Sequence, residues 1–327
     1  MKKKITITVV SVFTVLVLLS FGAGWYMLDY ALKPASDAKD TQGRYARMLA
    51  EYPYMRHWVD SMRGVKALRD TFVTMPDGCR HHAAYARGDS AAGRTAILVH
   101  GYKDSYIGML PIAKIYADMG YNILLPDLHA HGLSEGGDIR MGWKDREDVI
   151  RWIGVADSLF ADPVGKPRIV LHGVSMGAAT VMNVSGERLP PSVKCFVEDC
   201  GYTNVWDEFS RQLSDQFGLP DFPVLYAATV LCKLRYGWTF GEASPVDQLA
   251  RNESPMLYIH GSSDGYVPSS MVFPLYNANP VHVTPDGVTR HFNGIWITPG
   301  CAHAQSFHDY PHEYAKRVRA FVGEFVK

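Results

Sequence analysis

Six short apolar runs predict an α/β protein whose central sheet is mostly parallel and flanked by helices. The runs fall at residues 95–99, 121–126, 168–172, 193–197, 255–259 and 294–298, and between most of them lie stretches of helical length such as 106–119, 143–160 and 176–188. Short strands that are apolar throughout belong to sheets buried on both faces, and strand–helix alternation makes their pairing parallel. Glycine, aspartate and histidine collect just after several of these runs, at the carboxyl ends where active sites of such sheets lie.

The 327 residues are 47% apolar and 20% charged, the profile of a folded globular chain and not of a disordered or collagen-like one. The length suits one large domain or two small ones. Lys+Arg and Asp+Glu balance at 33 each, so no basic surplus exists to neutralise phosphates and nucleic acid is not an expected partner.

The chain opens with Lys2, Lys3 and Lys4, followed by residues 5–28 without a charge. Twenty-four residues at a helical rise cover ~36 Å, enough to cross a hydrocarbon layer of ~30 Å, whereas the apolar part of a signal peptide spans only ~7–15 residues. Trp25 and Tyr26 stand where interfacial aromatics would lie, and the lysines predict a cytoplasmic amino terminus with everything after residue 28 outside. Residues 1–28 are therefore expected to be a transmembrane anchor or signal segment. Small residues at 20–24 keep cleavage open, with a secreted or periplasmic product; a buried amino-terminal helix of a cytosolic protein is the third reading.

Residues 29–65 read as a polar connector and a helical lead-in, broken near Pro53, and residues 66–327 as the catalytic domain. A hairpin of 70–74 with 81–87, turning at Pro76-Asp77-Gly78, precedes the first parallel strand.

The chemistry lies in the loops. After 168–172 comes Gly173-Val174-Ser175-Met176-Gly177, then an Ala-rich helix start. A serine hydroxyl needs exposure, orientation and a neighbouring base to act as a nucleophile. A sharp strand-to-helix turn exposes it, and glycines two residues on either side let the backbones approach. After 95–99, His100-Gly101-Tyr102 can aim a backbone N–H at the same point; with the N–H of Met176 it makes a two-donor oxyanion hole. Asp264 follows 255–259 and His303 follows the last strand, which places His303 to take the proton of Ser175 while Asp264 holds the imidazole tautomer. The order Ser175, Asp264, His303 belongs to one fold in particular.

On these loops, together with Asp127-Leu128-His129-Ala130-His131-Gly132-Leu133-Ser134 and Glu198-Asp199-Cys200-Gly201-Tyr202, the sequence resembles the α/β-hydrolase superfamily. It is most similar to the serine-aminopeptidase-like and monoglyceride-lipase-like branch, and to exported or membrane-anchored bacterial hydrolases within it. The resemblance covers roughly residues 66–326. It implies Ser175 as nucleophile, Asp264 as acid, His303 as base, and Tyr102 and Met176 as oxyanion donors. Residues 280–293 are a longer insert than the family usually has, either reshaping a wall of the site or forming a surface hairpin.

Asp199 also follows a strand and is a rival for the acid. His129 with His131 invites a metal reading, but the resemblance implies a loop that packs beneath the site, with structural histidines; His81 with His82, and His308 with His312, lack a carboxylate or cysteine cluster to complete a site, and no metal and no cofactor are expected. Residues 205–254, rich in aromatics, separate two strands by more than a crossover needs and read as a small helical lid. Five cysteines permit disulfides in an exported protein, with at least one thiol left over.

The expected function is hydrolysis of carboxylic esters through an acyl-enzyme, on a small-molecule or lipid-like ester, with the bilayer as partner of the amino-terminal segment. A peptidase, amidase or acyltransferase on the same three residues, and a non-catalytic acyl-binding module, are the alternatives.

Overall fold

Each apolar run becomes a strand. The computed structural model describes residues 2–88, 93–163, 165–279, 282–283, 289–290 and 293–327. The strands are β1 (Arg69–Thr74), β2 (Arg80–Ala86), β3 (Arg94–Val99), β4 (Asn122–Pro126), β5 (Arg168–Val174), β6 (Val193–Asp199), β7 (Met256–Gly261), β8 (His282–Val283), β9 (Thr289–Arg290) and β10 (Gly294–Thr298). The helices are α1 (Lys2–Leu32), α2 (Thr41–Glu51), α3 (Arg56–Gly64), α4 (Leu110–Ala117), α5 (Asp145–Leu159), α6 (Met176–Ser185), α7 (Val205–Phe217), α8 (Val224–Tyr236), α9 (Pro245–Leu249), α10 (Val272–Ala278), α11 (Ser306–Asp309) and α12 (Pro311–Phe325).

Eight strands form one sheet in the order β1-β2-β4-β3-β5-β6-β7-β10. β1 and β2 pair antiparallel with each other and β2 with β4; all pairs from β4 to β10 are parallel. The chain steps from β3 to β4 on one side and returns to β5 on the other. The loops after β3 and β5 thus diverge at a topological switch point, where open α/β sheets form their crevice.

Alternate strand residues feed two layers. Ala96, Leu98, Ile123, Leu125, Cys195, Val197, Leu257 and Ile259 share one core with residues of α2, α3, α4 and α12, among them Met48, Val59, Leu110, Tyr314 and Val318. Burying one such large side chain is worth about 1.5–3 kcal/mol, so this cluster ties the lead-in helices to the sheet. On the other face α6 packs against β3, β5 and β6, with α5 beside it.

The lead-in breaks at Pro53 into α2 and α3, joined by a short 3₁₀ turn at Pro53–Met55. Proline cannot continue the hydrogen-bond ladder of α2. Asp40 caps α2, its carboxylate accepting the N–H of Gly43 at 2.9 Å.

Two compact units result: one of Pro34–Thr203 and Ser244–Lys327, carrying the sheet, and one of Met1–Lys33 and Asn204–Ala243. In the smaller unit Asn204 caps α7 by accepting from the N–H of Asp207 at 2.7 Å, and Gly218 ends α7 in the left-handed conformation. Aromatics pack the insert on itself, with ring centroids 4.8 Å apart for Phe209 and Phe240 and 5.9 Å for Trp238 and Phe240. α1 is the one described helix long and apolar enough to cross a membrane. In the insert at 280–293, β8 and β9 pair antiparallel; its other residues, Asn293 apart, lie outside the described set.

Among the described residues no disulfide joins the cysteines; Cys195, Cys200, Cys232 and Cys301 are buried and Cys79 is half-buried.

Candidate active site

Ser175 is held in a backbone conformation that its side chain disfavours, with φ 56° and ψ −118°, between β5 and α6. The flanking glycines explain how. A Cβ on Gly173 would lie 2.1 Å from the carbonyl oxygen of Gly177, and a Cβ on Gly177 would lie 2.0 Å from that of Val99. Any larger residue at either position forces the turn apart. The Ser175 N–H donates to the Asp199 carbonyl at 2.8 Å, which pins the elbow to β6.

The same strain recurs along this edge of the sheet. Lys103 after β3, Ala130 after β4, Cys200 after β6 and Ala304 after β10 also carry positive φ. Such conformations cost about 1–3 kcal/mol each and concentrate at functional sites.

The structure brings the three sequence-predicted side chains together. Ser175 Oγ stands 2.8 Å from His303 Nε2, and His303 Nδ1 stands 2.7 Å from Asp264 Oδ2. Asp264 Oδ1 accepts the N–H groups of Tyr266 at 2.9 Å and Val267 at 2.8 Å. Burial alone would raise its carboxyl, but hydrogen bonds from His260 and His303 outweigh that and hold it well below the usual carboxylate range. The Asp264 carboxylate is therefore ionised whenever the protein is folded near neutral pH.

Tyr102 follows Gly101, and a Cβ on Gly101 would lie 3.5 Å from that of Ser175. Met176 is the first residue of α6, where N–H groups have no partner within the helix. Asp199, the rival acid, is engaged elsewhere: its Oδ2 accepts the Tyr314 hydroxyl at 2.9 Å, and burial raises its carboxyl to about 6.

The loop histidines hold turns. His100 Nε2 accepts the Leu128 N–H at 3.0 Å, and His131 Nε2 accepts the Lys103 N–H at 3.1 Å. His81 Nε2 lies 3.1 Å from His129 Nδ1. Here the fold adds what the sequence did not suggest: Asp148 lies 3.6 Å from His81 and Asp77 lies 3.7 Å from His129, carboxylates drawn in from other segments. Arg140 supplies the cation between them, reaching Asp77 at 2.6 Å and Asp148 at 3.5 Å.

A cavity of about 510 Å³ opens onto Ser175 and His303. One of its walls is α2, which contributes Arg44, Arg47, Met48 and Glu51, with Tyr52 just beyond. The sequence marks α2 as an amphipathic lead-in, but nothing in it points to the site. The Tyr266 ring lies 5.1 Å from that of His303, a neighbour that the loop sequence does not mark.

Glu198 lies beneath the site, wholly buried, with Oε2 accepting the Gly201 N–H at 3.0 Å and Oε1 without a hydrogen-bond partner among the described residues. Burial raises its carboxyl to about 8. A carboxyl raised on folding contributes stability that is complete below its unfolded value of about 4.3 and is lost as pH climbs through about 8. Thermal melts of Glu198→Gln should lack the part of the wild-type decline that runs from about pH 4.3 up to about pH 8, and the two proteins should run parallel above it. Equal declines in both proteins would refute this assignment.

Sequence comparison gives the family. The profile of the alpha/beta hydrolase family matches residues 96–317, and the chain belongs to that family. Among curated proteins it is similar to the uncharacterized protein YqkD of Bacillus subtilis strain 168, 27% identical over 229 residues, covering 70% of each chain. Among solved structures it resembles the esterase Pf2001 of Pyrococcus furiosus, with TM-score 0.62 and 22% identity over 80% of this chain and 92% of that one. It also resembles the esterase domain of a Rhodothermus marinus protein, with TM-score 0.54 and 17% identity over 80% and 100% of the two chains. A bacterial membrane phospholipase A gives TM-score 0.56 and 17% identity over 84% and 92%. At these identities the structural likenesses establish the fold.

Proposed function

We propose that the protein is a serine hydrolase that cleaves carboxylic esters through an acyl-enzyme, held at the membrane by residues 5–28 with its sheet-bearing unit outside the cytoplasm. The observation that carries the reading is the hydrogen-bonded line from Ser175 Oγ through His303 to Asp264, with spacings of 2.8 and 2.7 Å, at a strained elbow facing a cavity.

His303 Nε2 takes the Ser175 proton as Oγ attacks the ester carbonyl carbon. The oxyanion so formed accepts the N–H groups of Tyr102 and Met176; in other enzymes one such donor is worth about 2.7–4 kcal/mol. The C–O bond to the alcohol breaks, and His303 returns the proton to the leaving oxygen. Water then loses a proton to His303, attacks the acyl carbon and releases the acid, with the proton restored to Ser175. Asp264 stays ionised throughout and stabilises the imidazolium. The esterases among the structural relatives support the choice of ester.

Residues 205–254 form the insert between β6 and β7, entered from the carboxyl end of β6. The length of residues 5–28 and their freedom from charge support the anchor.

The test is a panel of p-nitrophenyl esters of rising acyl length beside aminoacyl anilides. Turnover of esters, with anilides far slower, is the expected result. Anilides cleaved as fast as the best ester would move the assignment to amide bonds, and no turnover of either class by folded protein would remove the catalytic reading.

A further inference from the structure

α1 is covered on one side in its last third. Gly24, Leu28 and Leu32 are buried, at spacings that make one helix face, and Ser20, Ala23, Met27 and Ala31 beside them are half-buried. The apolar side chains before Ser20 are exposed.

The cover is α8. A Cβ on Gly24 would lie 2.8 Å from the Ala228 nitrogen and 2.9 Å from the Ala227 Cβ, so glycine facing two alanines is what lets the helices close. Further along both helices, Arg235 pairs with Asp29 and lies 4.8 Å over the Trp25 ring. The contacts thus advance in the same chain direction on α1 and α8. Val224, three residues before Ala227, falls about 4.5 Å further back, beside the apolar span.

The opposite side of α8 is largely open, with the Trp206 ring against Tyr226 at 4.9 Å. Tyr226, Val230 and Leu234 follow one another at intervals of four, on one face, and are 52%, 46% and 78% exposed; Phe222, two residues before the helix, is 72% exposed. Leu219 and Phe217, before the helix, are exposed as well. A contiguous row of large apolar side chains open to water marks an interaction surface.

We propose that this row of α8 rests in the interfacial zone of the non-cytoplasmic leaflet, beside the point where α1 leaves the bilayer. The inference rests on the anchor reading of residues 5–28. What commits it to lipid is continuity: α8 is packed on the part of α1 that directly follows the exposed apolar span. Phe222 and Leu219, at the near end, enter deepest, and Lys233 and Arg235 stand at headgroup level. The smaller unit then touches the membrane twice, through a helix that crosses it and through the near end of a second helix packed alongside the first. Cleavage within residues 20–24 would strip the cover from Ala227 and Ala228, so the proposal requires that α1 is retained.

The experiment uses the full chain, with Cys79→Ser to remove the partly exposed thiol, reconstituted in phosphatidylcholine–phosphatidylglycerol vesicles. Single cysteines at Phe222, Tyr226 and Leu234 carry an environment-sensitive fluorophore and are challenged with doxyl-labelled lipids. Leu16→Cys reports the span, and Lys316→Cys reports a charged helix surface. The expected result is loss of most emission at 16, 222 and 226, a smaller loss at 234 and none at 316. Quenching at 16 with none at the α8 positions overturns the docking and leaves the anchor standing. No quenching at 16 removes both. A lipid-independent apolar signal at 222, with crosslinks between copies, assigns the row to a second copy of the chain and overturns the lipid assignment.

Discussion

Replacing Ser175 with alanine is expected to lower kcat for esters by about 10⁶-fold, the scale on which an isolated nucleophile is lost in serine hydrolases. The elbow itself survives this change. Its geometry comes from Gly173, Gly177 and the bond from the residue 175 N–H to the Asp199 carbonyl, none of which uses the hydroxyl. Unfolding transitions should therefore stay close to those of wild type, which separates loss of chemistry from loss of fold. A variant that kept a tenth of the activity would show that some other group attacks the ester. The glycines are the contrasting case: alanine at 177 would bring a Cβ within 2.0 Å of the Val99 carbonyl oxygen and should damage the fold itself.

The second large effect falls on Asp264. Asp264→Asn keeps an oxygen to accept the Tyr266 and Val267 N–H groups, so the loop is held as before. An amide facing His303 Nδ1 donates where the carboxylate accepted. The imidazole then carries its proton on Nε2, the atom 2.8 Å from Ser175 Oγ, and cannot take another from the serine. A drop of about 10⁴-fold in kcat follows, or about 5.5 kcal/mol of barrier. Asp199→Asn should leave most of the activity, because the Asp199 carboxyl is spent on the Tyr314 hydroxyl. Steady-state kinetics of the two variants side by side checks the assignment; the reverse ranking would give the acid's part to Asp199.

The parallel core of the sheet was legible because burial on both faces leaves a dense apolar run, and each run from 95–99 to 294–298 is a strand in place. The loops were legible for a different reason. A strained turn admits few residues, so Gly-x-Ser-x-Gly carries its geometry in its composition. The wall made by α2 was not legible: Tyr45 and Met48 reveal a helix with one apolar face, but which surface that face meets depends on contacts across the fold. The pairing of α1 with α8 escaped for the same reason, since Gly24 in an apolar helix shows nothing of the alanines that it faces 203 residues later. The company of Asp77, Asp148 and Arg140 around His81 and His129 is again a product of tertiary packing, absent from any local pattern.

The central claim is that the Ser175 oxygen becomes covalently bonded to substrate. A fluorophosphonate probe forms a stable bond to an activated serine oxygen, and peptide mapping by mass spectrometry locates the adduct. The account predicts one modified residue, Ser175, and the disappearance of its adduct in His303→Ala. Folded wild-type protein that takes up no label, or label mapped to another serine with Ser175 unmodified, would contradict it.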